Sequence, residues 1–437
     1  MLLCGGCPTY TERAVGVYQA VDAGDYHAGI LRLNRILDAP TCELPDRWTA
    51  ARSLAVLERA VLLQATGQYE CSARTLTAAE TQLEVLDLAT DPVGTLGRYI
   101  YSDTARIYRT PPAERLALSS LNQLNYLARN DLNGAGVEAR RFTVSRTYLE
   151  ALDQTRPAAF GSYLAGFVFE RLGEPDRALR YYEEALDAGD LHSLREPIER
   201  LSQRADYRGP RLRAYLDRIP VPSAGPLDGR PPAPEAEGEI LLVLGLGRVP
   251  LRVPQRIPIG AALSMAGVHV AGDTELLSRL VLKVLVYPEL AWRDNLVSSA
   301  SVRLGGQELP VELLTNLGSE IAREYEAMKP LIVASALTRM IARAAAAEAA
   351  RQSLRKSGES TRTLAALAAE AALLALDRPD TRSWTLLPAH LYICRTRVPP
   401  GRHDLHVTLQ GRIQETRVIP VDVPPGGFRV VAVIEPR

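Results

Sequence analysis

Five cysteines and six histidines are the residues of this 437-residue chain best suited to ligand or redox chemistry. Cys4 and Cys7 form a C-x-x-C pair. A redox or metal role would call for a second such pair, or a strand-then-helix context, and neither follows. A second reading starts from the apolar Met1, Leu2 and Leu3 and the small Gly5 and Gly6 just before Cys7. That order is the pattern of a lipoprotein processing site, at which Cys7 is acylated and becomes the new N-terminus. A signal needs a basic segment and about 7–15 apolar residues, more than precede Cys7, so this reading expects the true start to lie upstream. His403 and His406 lie on an expected strand three residues apart, which sends them to opposite faces. His390 and Cys394 share a face but sit about 13 Å apart. Neither pair makes a ready ligand set, so no metal and no cofactor are expected. The five cysteines, Cys4, Cys7, Cys42, Cys71 and Cys394, are an odd, scattered set that gives no disulfide framework. Nor is there a supported Ser-His-Asp or Cys-His arrangement. The chain is therefore expected not to be an enzyme.

The densest local cluster of polar groups is Asp377–Leu391, DRPDTRSWTLLPAHL. Asp380 and Arg382 can pair beside Trp384, with Pro388 entering a strand. Two readings stand. One is a glycan-binding or hydrolytic spot using Asp380, Arg382 and His390. The other, favoured, is a corner that locks a helical insertion onto the sheet, because an exposed ion pair alone contributes little.

The elements that must position these groups change character along the chain. Ser162–Asp190 reads as two short amphipathic helices. Gly166 and Phe169 mark the first, Gly173 the turn, and Ala178, Tyr182 and Ala185 the second, at helical spacing. This order of small and aromatic residues is the tetratricopeptide repeat pattern. Further pairs turn at Gly24, Gly67 and Asn130, so the turns are spaced about 43 to 63 residues apart rather than about 34. Insertions are expected at Asp38–Asp46 and Asp91–Pro112. Such pairs stack into a solenoid whose groove suits a protein partner.

Residues 220–238 carry six prolines among Gly and Ala and read as a semi-rigid linker. Beyond it the period becomes that of strands. They are expected in residues 239–259 and at Leu280–Tyr287, Ser299–Leu304, Leu391–Val398, Asp404–Gln410, Thr416–Val421 and Phe428–Ile434, the last four as an antiparallel meander. Gly245 and Gly247 do not make a nucleotide loop. A helical hairpin is expected from Leu313–Arg355 and Thr363–Leu376. The fold class is thus α+β: residues 1–13 a signal and tether, 14–219 a helical repeat domain, 220–238 the linker and 239–437 an α+β domain with a mostly antiparallel sheet.

Hydrophobic residues make up 46 % and charged residues 23 %, with 51 cationic and 51 acidic side chains. Lacking a basic field, the chain is not expected to bind nucleic acid. Three stretches, LCGGC, ERLALSSLNQLNYLARNDLNGAGVEARR and DTRSWTLLPAHL, resemble a family of bacterial lipoproteins with a tetratricopeptide-like front half. The resemblance implies a non-enzymatic scaffold of the cell envelope, lipid-anchored at Cys7 on the periplasmic side of a membrane, with a role in cell-wall assembly.

Overall fold

The computed structural model describes residues 10–88, 108, 110–151, 158–218, 237–267, 284–353 and 379–437. Cys4 and Cys7, the 220–236 part of the expected linker and the expected helix at 363–376 lie outside them. The chain is α+β, with a helical N-terminal half and mostly antiparallel sheets after it.

Eight helices form four consecutive pairs. They are α1 (Tyr10–Asp22) with α2 (Tyr26–Leu37), α3 (Ala50–Ala65) with α4 (Tyr69–Leu88), α5 (Pro112–Ala128) with α6 (Leu132–Ala151), and α7 (Ala159–Arg171) with α8 (Pro175–Ala185). The turn residues Gly24, Gly67, Asn130 and Gly173 all adopt left-handed backbone, with φ of 78°, 73°, 61° and 75°. At each, the following residue's N–H donates to a carbonyl five residues back, as Glu174 does to Phe169 at 2.9 Å. The helix thereby closes its last carbonyls, and glycine or asparagine is the residue that tolerates the conformation. Asp25 and Asp131 then accept the N–H groups of Ala28 and Gly134, capping the second helices of two pairs. Two short helices, α9 (Arg195–Ser202) and α10 (Pro210–Arg218), follow.

Cys42 and Cys71 are joined in a disulfide, which corrects the expectation of no disulfide. The α2–α3 loop folds back on α4, a proximity that cysteine spacing alone does not reveal.

Strands β1 (Gly238–Arg248), β6 (Glu312–Asn316), β7 (Pro388–Val398) and β10 (Phe428–Glu435) make one sheet in the order β10-β1-β7-β6. A second sheet has the order β5-β4-β8-β9, from β4 (Val297–Leu304), β5 (Gln307–Leu309), β8 (Gly401–Gly411) and β9 (Glu415–Val423). The expected four-strand meander is therefore divided. Only β8 and β9 pair as neighbours, while β10 returns to the first sheet and runs parallel to β1. Alternation fixes which residues face inward, but not which of two stacked sheets a strand joins.

The two faces of the first sheet have different partners. Leu241, Val243, Leu391, Ile393, Val430 and Ile434 share one core with the helical array. Ile240, Leu242, Leu244, Leu246 and Val433 pack against Val302, Leu405, Val407 and Leu409 of the second sheet. This makes three layers, helices on sheet on sheet, and buries β1 along its whole length. One face of the helical array is thus covered by the chain's own sheet.

A third core joins the antiparallel pair β2 (Leu251–Pro258) and β3 (Val284–Ala291) to α11 (Ile259–Ala266) and α12 (Leu317–Ser353). The helix expected from Leu313 begins four residues later. Residues 312–316 are strand, and Asn316 caps α12 by accepting the Ser319 N–H at 3.0 Å.

Candidate functional site

Three groups of buried or half-buried charges lie where the helical layer meets the first sheet. The first surrounds the polar stretch 380–390. Asp380 and Arg382 pair through two contacts, at 2.6 and 2.5 Å. The Trp384 side chain is fully buried in the core shared with the helices. This stretch is held by three helices of the N-terminal half, two of them through its backbone. Thr11 of α1 bonds Thr381 at 3.3 Å. Glu58 of α3 accepts the N–H groups of both Thr385 and Leu386 at 2.9 Å. Glu114 of α5 accepts from the Trp384 amide and from the Tyr108 hydroxyl at 2.6 Å. The corner therefore fixes the sheet to the N-terminal helices. The helical insertion expected in that role contributes through α12, whose Glu324 accepts the Ala113 N–H of α5 at 3.0 Å.

Burial pushes the Glu58 carboxyl up to about 8, against its two amide donors, the Tyr18 hydroxyl and Arg248. Burial likewise pushes Glu114 up to about 7, against Tyr108 and Arg252. Pro388 opens β7 opposite Arg248. His390 lies further along β7, opposite Leu246 and Asn316, with its ring 6.1 Å from that of Tyr392. Burial lowers its pKa. Asp380 and Arg382 instead sit beside Arg252, which donates to the Arg382 carbonyl at 3.3 Å.

The second group centres on Arg395 of β7. Its Nη2 donates to both oxygens of Glu170 in α7 at 2.9 Å, its Nη1 to the Tyr182 hydroxyl of α8 at 3.0 Å, and its Nε to Glu239 of β1. Arg171 pairs with Glu239, and Arg200 with Glu170. Burial alone would raise the Glu170 carboxyl; Arg395, Arg171 and Arg200 outweigh it and hold it down to about 2. Outside this group lies an open cleft of about 590 Å³ lined by Arg171, Glu196, Arg200, Glu237, Glu239 and Arg397. The rim cation Arg397 pairs with the rim acids Glu196 and Glu237.

The expected repeat residues lie on the same two helices, α7 and α8, and the turn between them. A Cβ on Gly166 would fall 2.5 Å from the Tyr182 ring, so only glycine admits that ring. Phe169 stacks on Tyr181 with centroids 5.4 Å apart. Gly173 makes the turn, and Ala178, Tyr182 and Ala185 are fully buried.

The third group is Asp22 at the end of α1, Arg248 at the end of β1, and Arg293 in the loop after β3. Arg248 pairs with Asp22, and Arg293 lies 3.8 Å from the same carboxylate. They line an open cleft of about 460 Å³ together with Leu251, Asp294 and Leu296.

His403 and His406 fall on opposite faces of β8, and His403 Nε2 lies 2.7 Å from the Pro399 carbonyl. Among the described residues, no group of three or more His, Cys, Asp or Glu could hold a metal.

Sequence reasoning missed Glu58, Glu170, Arg395, Arg248 and Arg293. A signal was present for three of them. Glu58 interrupts the apolar run of α3, Arg395 interrupts that of β7, and Arg248 closes that of β1. A charge at a core position needs a partner, and the partner is then the next thing to find. Neither a protein-family model, nor a curated protein, nor a solved structure matches this chain.

Proposed function

We propose that this chain is a non-enzymatic lipoprotein of the bacterial cell envelope, acting as a protein–protein interaction scaffold. In this reading Cys7 carries the lipid on the periplasmic side of a membrane. The helical pairs form a tetratricopeptide-like array, and a protein partner docks on the molecule during envelope or cell-wall assembly.

One observation carries the scaffold reading. The buried acids that could have served as catalytic groups, Glu58, Glu114 and Glu170, each grip the chain's own backbone or arginines across the junction of its two halves. Their chemistry holds a shape. The four matching left-handed turns support a repeated helical unit. The Cys42–Cys71 disulfide supports an oxidising compartment, since such bonds persist mainly outside the cytosol. Among the described residues, no helix is long and apolar enough to cross a membrane, and a lipid on Cys7 would supply the attachment. In this reading the partner docks in the groove of the array, on a face that the first sheet leaves open.

The test is metabolic labelling with palmitate of the chain placed behind a complete signal segment, beside the same chain with Cys7→Ser. Label in the first and none in the second is the expected result. Equal labelling of both overturns the lipid anchor.

A further inference from the structure

We propose that the cleft between Asp22, Arg248 and Arg293 is a binding site for an oxyanion, a carboxylate or a phosphate group, held by the two guanidinium groups. This inference does not depend on the lipid anchor or on the scaffold reading.

The backbone here is built to aim Arg248. Gly247 takes a left-handed conformation, with φ of 65°, and a Cβ on it would fall 2.6 Å from the Asn295 amide. That amide clamps the Arg248 backbone, accepting its N–H and donating to its carbonyl, both at 3.0 Å. The clamp comes from the same loop that carries Arg293, so the two arginines are positioned as a unit. The Arg293 guanidinium also lies over the Tyr18 ring, 5.8 Å from its centroid, which fixes it against α1.

The charges are not balanced by this arrangement. The Arg248 side chain is 4 % exposed, yet among the described residues its Nε and Nη1 have no hydrogen-bond acceptor, and Nη2 reaches Asp22. Arg293 shares that single carboxylate from 3.8 Å. Burial and the charge of Arg248 both lower the pKa of Arg293. Glu58 lies near Arg248, but burial favours its neutral form. Asp294, also on the rim, is 90 % exposed and faces Arg412 at 3.5 Å. Two cations thus converge on one acid.

That acid, Asp22, is 45 % exposed and lines the cleft. It is the group an incoming oxyanion would displace. A free carboxylate or phosphate can present two oxygens to one guanidinium fork, whereas Asp22 turns one oxygen to Arg248 and the other to Arg293. Asp22 is then a competitor for the site, and this separates the proposal from a purely structural ion pair.

The experiment titrates the full chain at low salt, with inorganic phosphate in one arm and acetate in the other. Binding is read by calorimetry and by the arginine Nε–H resonances in NMR. At least one anion should saturate and shift the Arg248 and Arg293 resonances, with binding weakening as salt is raised. Phosphate alone, acetate alone or both identify the chemistry of the group. Arg293→Gln should weaken binding about tenfold, whereas Asp22→Asn should strengthen it several-fold. Circular dichroism verifies that each variant is folded. The proposal is overturned if neither anion saturates, if Arg293→Gln binds as the wild type does, or if Asp22→Asn binds more weakly.

Discussion

Arg395 and Arg248 are both buried arginines on the helix-bearing sheet, and both reach from a strand to a helix of the N-terminal half. Their surroundings differ. Arg395 has Glu170, Glu239 and Tyr182 around its fork, and each of those is held in turn by Arg171, Arg200 or a neighbouring helix. Arg248 has, among the described residues, one half-exposed aspartate and two nitrogens without an acceptor. A saturated cluster fixes two layers in one arrangement, because any slip strands a buried charge. An unsaturated one at a cleft leaves room for a ligand. The same residue type therefore serves as a lock in one place and as a receptor in the other, and the count of acceptors decides which.

The largest expected effect comes from breaking the lock. Arg395→Leu leaves Glu170 and Glu239 buried with fewer partners, which typically costs about 3–5 kcal/mol. The urea midpoint of the variant should fall accordingly. A midpoint close to that of the wild type would mean that Arg171 and Arg200 neutralise the acids without it. The halves share one core as well as this lock, so both should unfold in a single transition in either protein.

The next test uses two buried glutamates with opposite pH behaviour. The folded-state value of Glu170 lies below its ordinary 4.5, at about 2. Its contribution is therefore present above pH 4.5 and is lost as the pH falls from 4.5 towards 2. Glu58 is raised to about 8. The folded chain keeps a proton there that the unfolded chain releases, so stability declines as the pH rises from 4.5 to 8 and then levels off. Glu58→Gln should flatten the neutral limb of a stability–pH curve, and Glu170→Gln the acid limb. Curves parallel to the wild type would show that neither group titrates in this way.

A smaller effect approaches the lock from behind. Gly166→Val would force the Tyr182 ring aside and shift its hydroxyl from Arg395 and Glu170. Overpacking of this kind costs about 1–3 kcal/mol. If Tyr182→Phe is already present, the same change should cost less, because part of the loss is the displaced hydroxyl. Equal costs in both backgrounds would confine the effect to packing.

What was legible in the sequence is local. Gly24, Gly67, Asn130 and Gly173 stand out because a left-handed turn restricts residue choice at one position, and the helical period flanks it. The small-to-aromatic fit of Gly166 with Tyr182 is likewise written within about four helical turns. The long-range pairings were not legible. Glu58 and Thr385 are 327 residues apart, and Arg395 and Glu170 are 225 apart. No periodicity connects such positions. The return of β10 beside β1 also depends on the stacking of two sheets, to which a two-residue alternation is blind. The polar stretch at 380–390 is conspicuous for its side chains, yet much of its structural role is carried by backbone N–H groups, which every sequence has and none displays.

The smallest effect tests the unsaturated member of the pair. Arg248→Met removes one buried cation and leaves Asp22, which is 45 % exposed and can be hydrated where it stands. Because water takes over the lost partner, the cost should be about 1 kcal/mol or less, as for exposed ion pairs, well under that of Arg395→Leu. The methionine stem still fills the space of the arginine's aliphatic part, so the variant reads charge more than packing. Urea unfolding of the two variants side by side measures the ratio. A loss at Arg248 as large as that at Arg395 would mean that its nitrogens are satisfied after all, and that the cleft is a second lock. A small loss leaves Arg248 with little structural role, consistent with a group held ready for an anion.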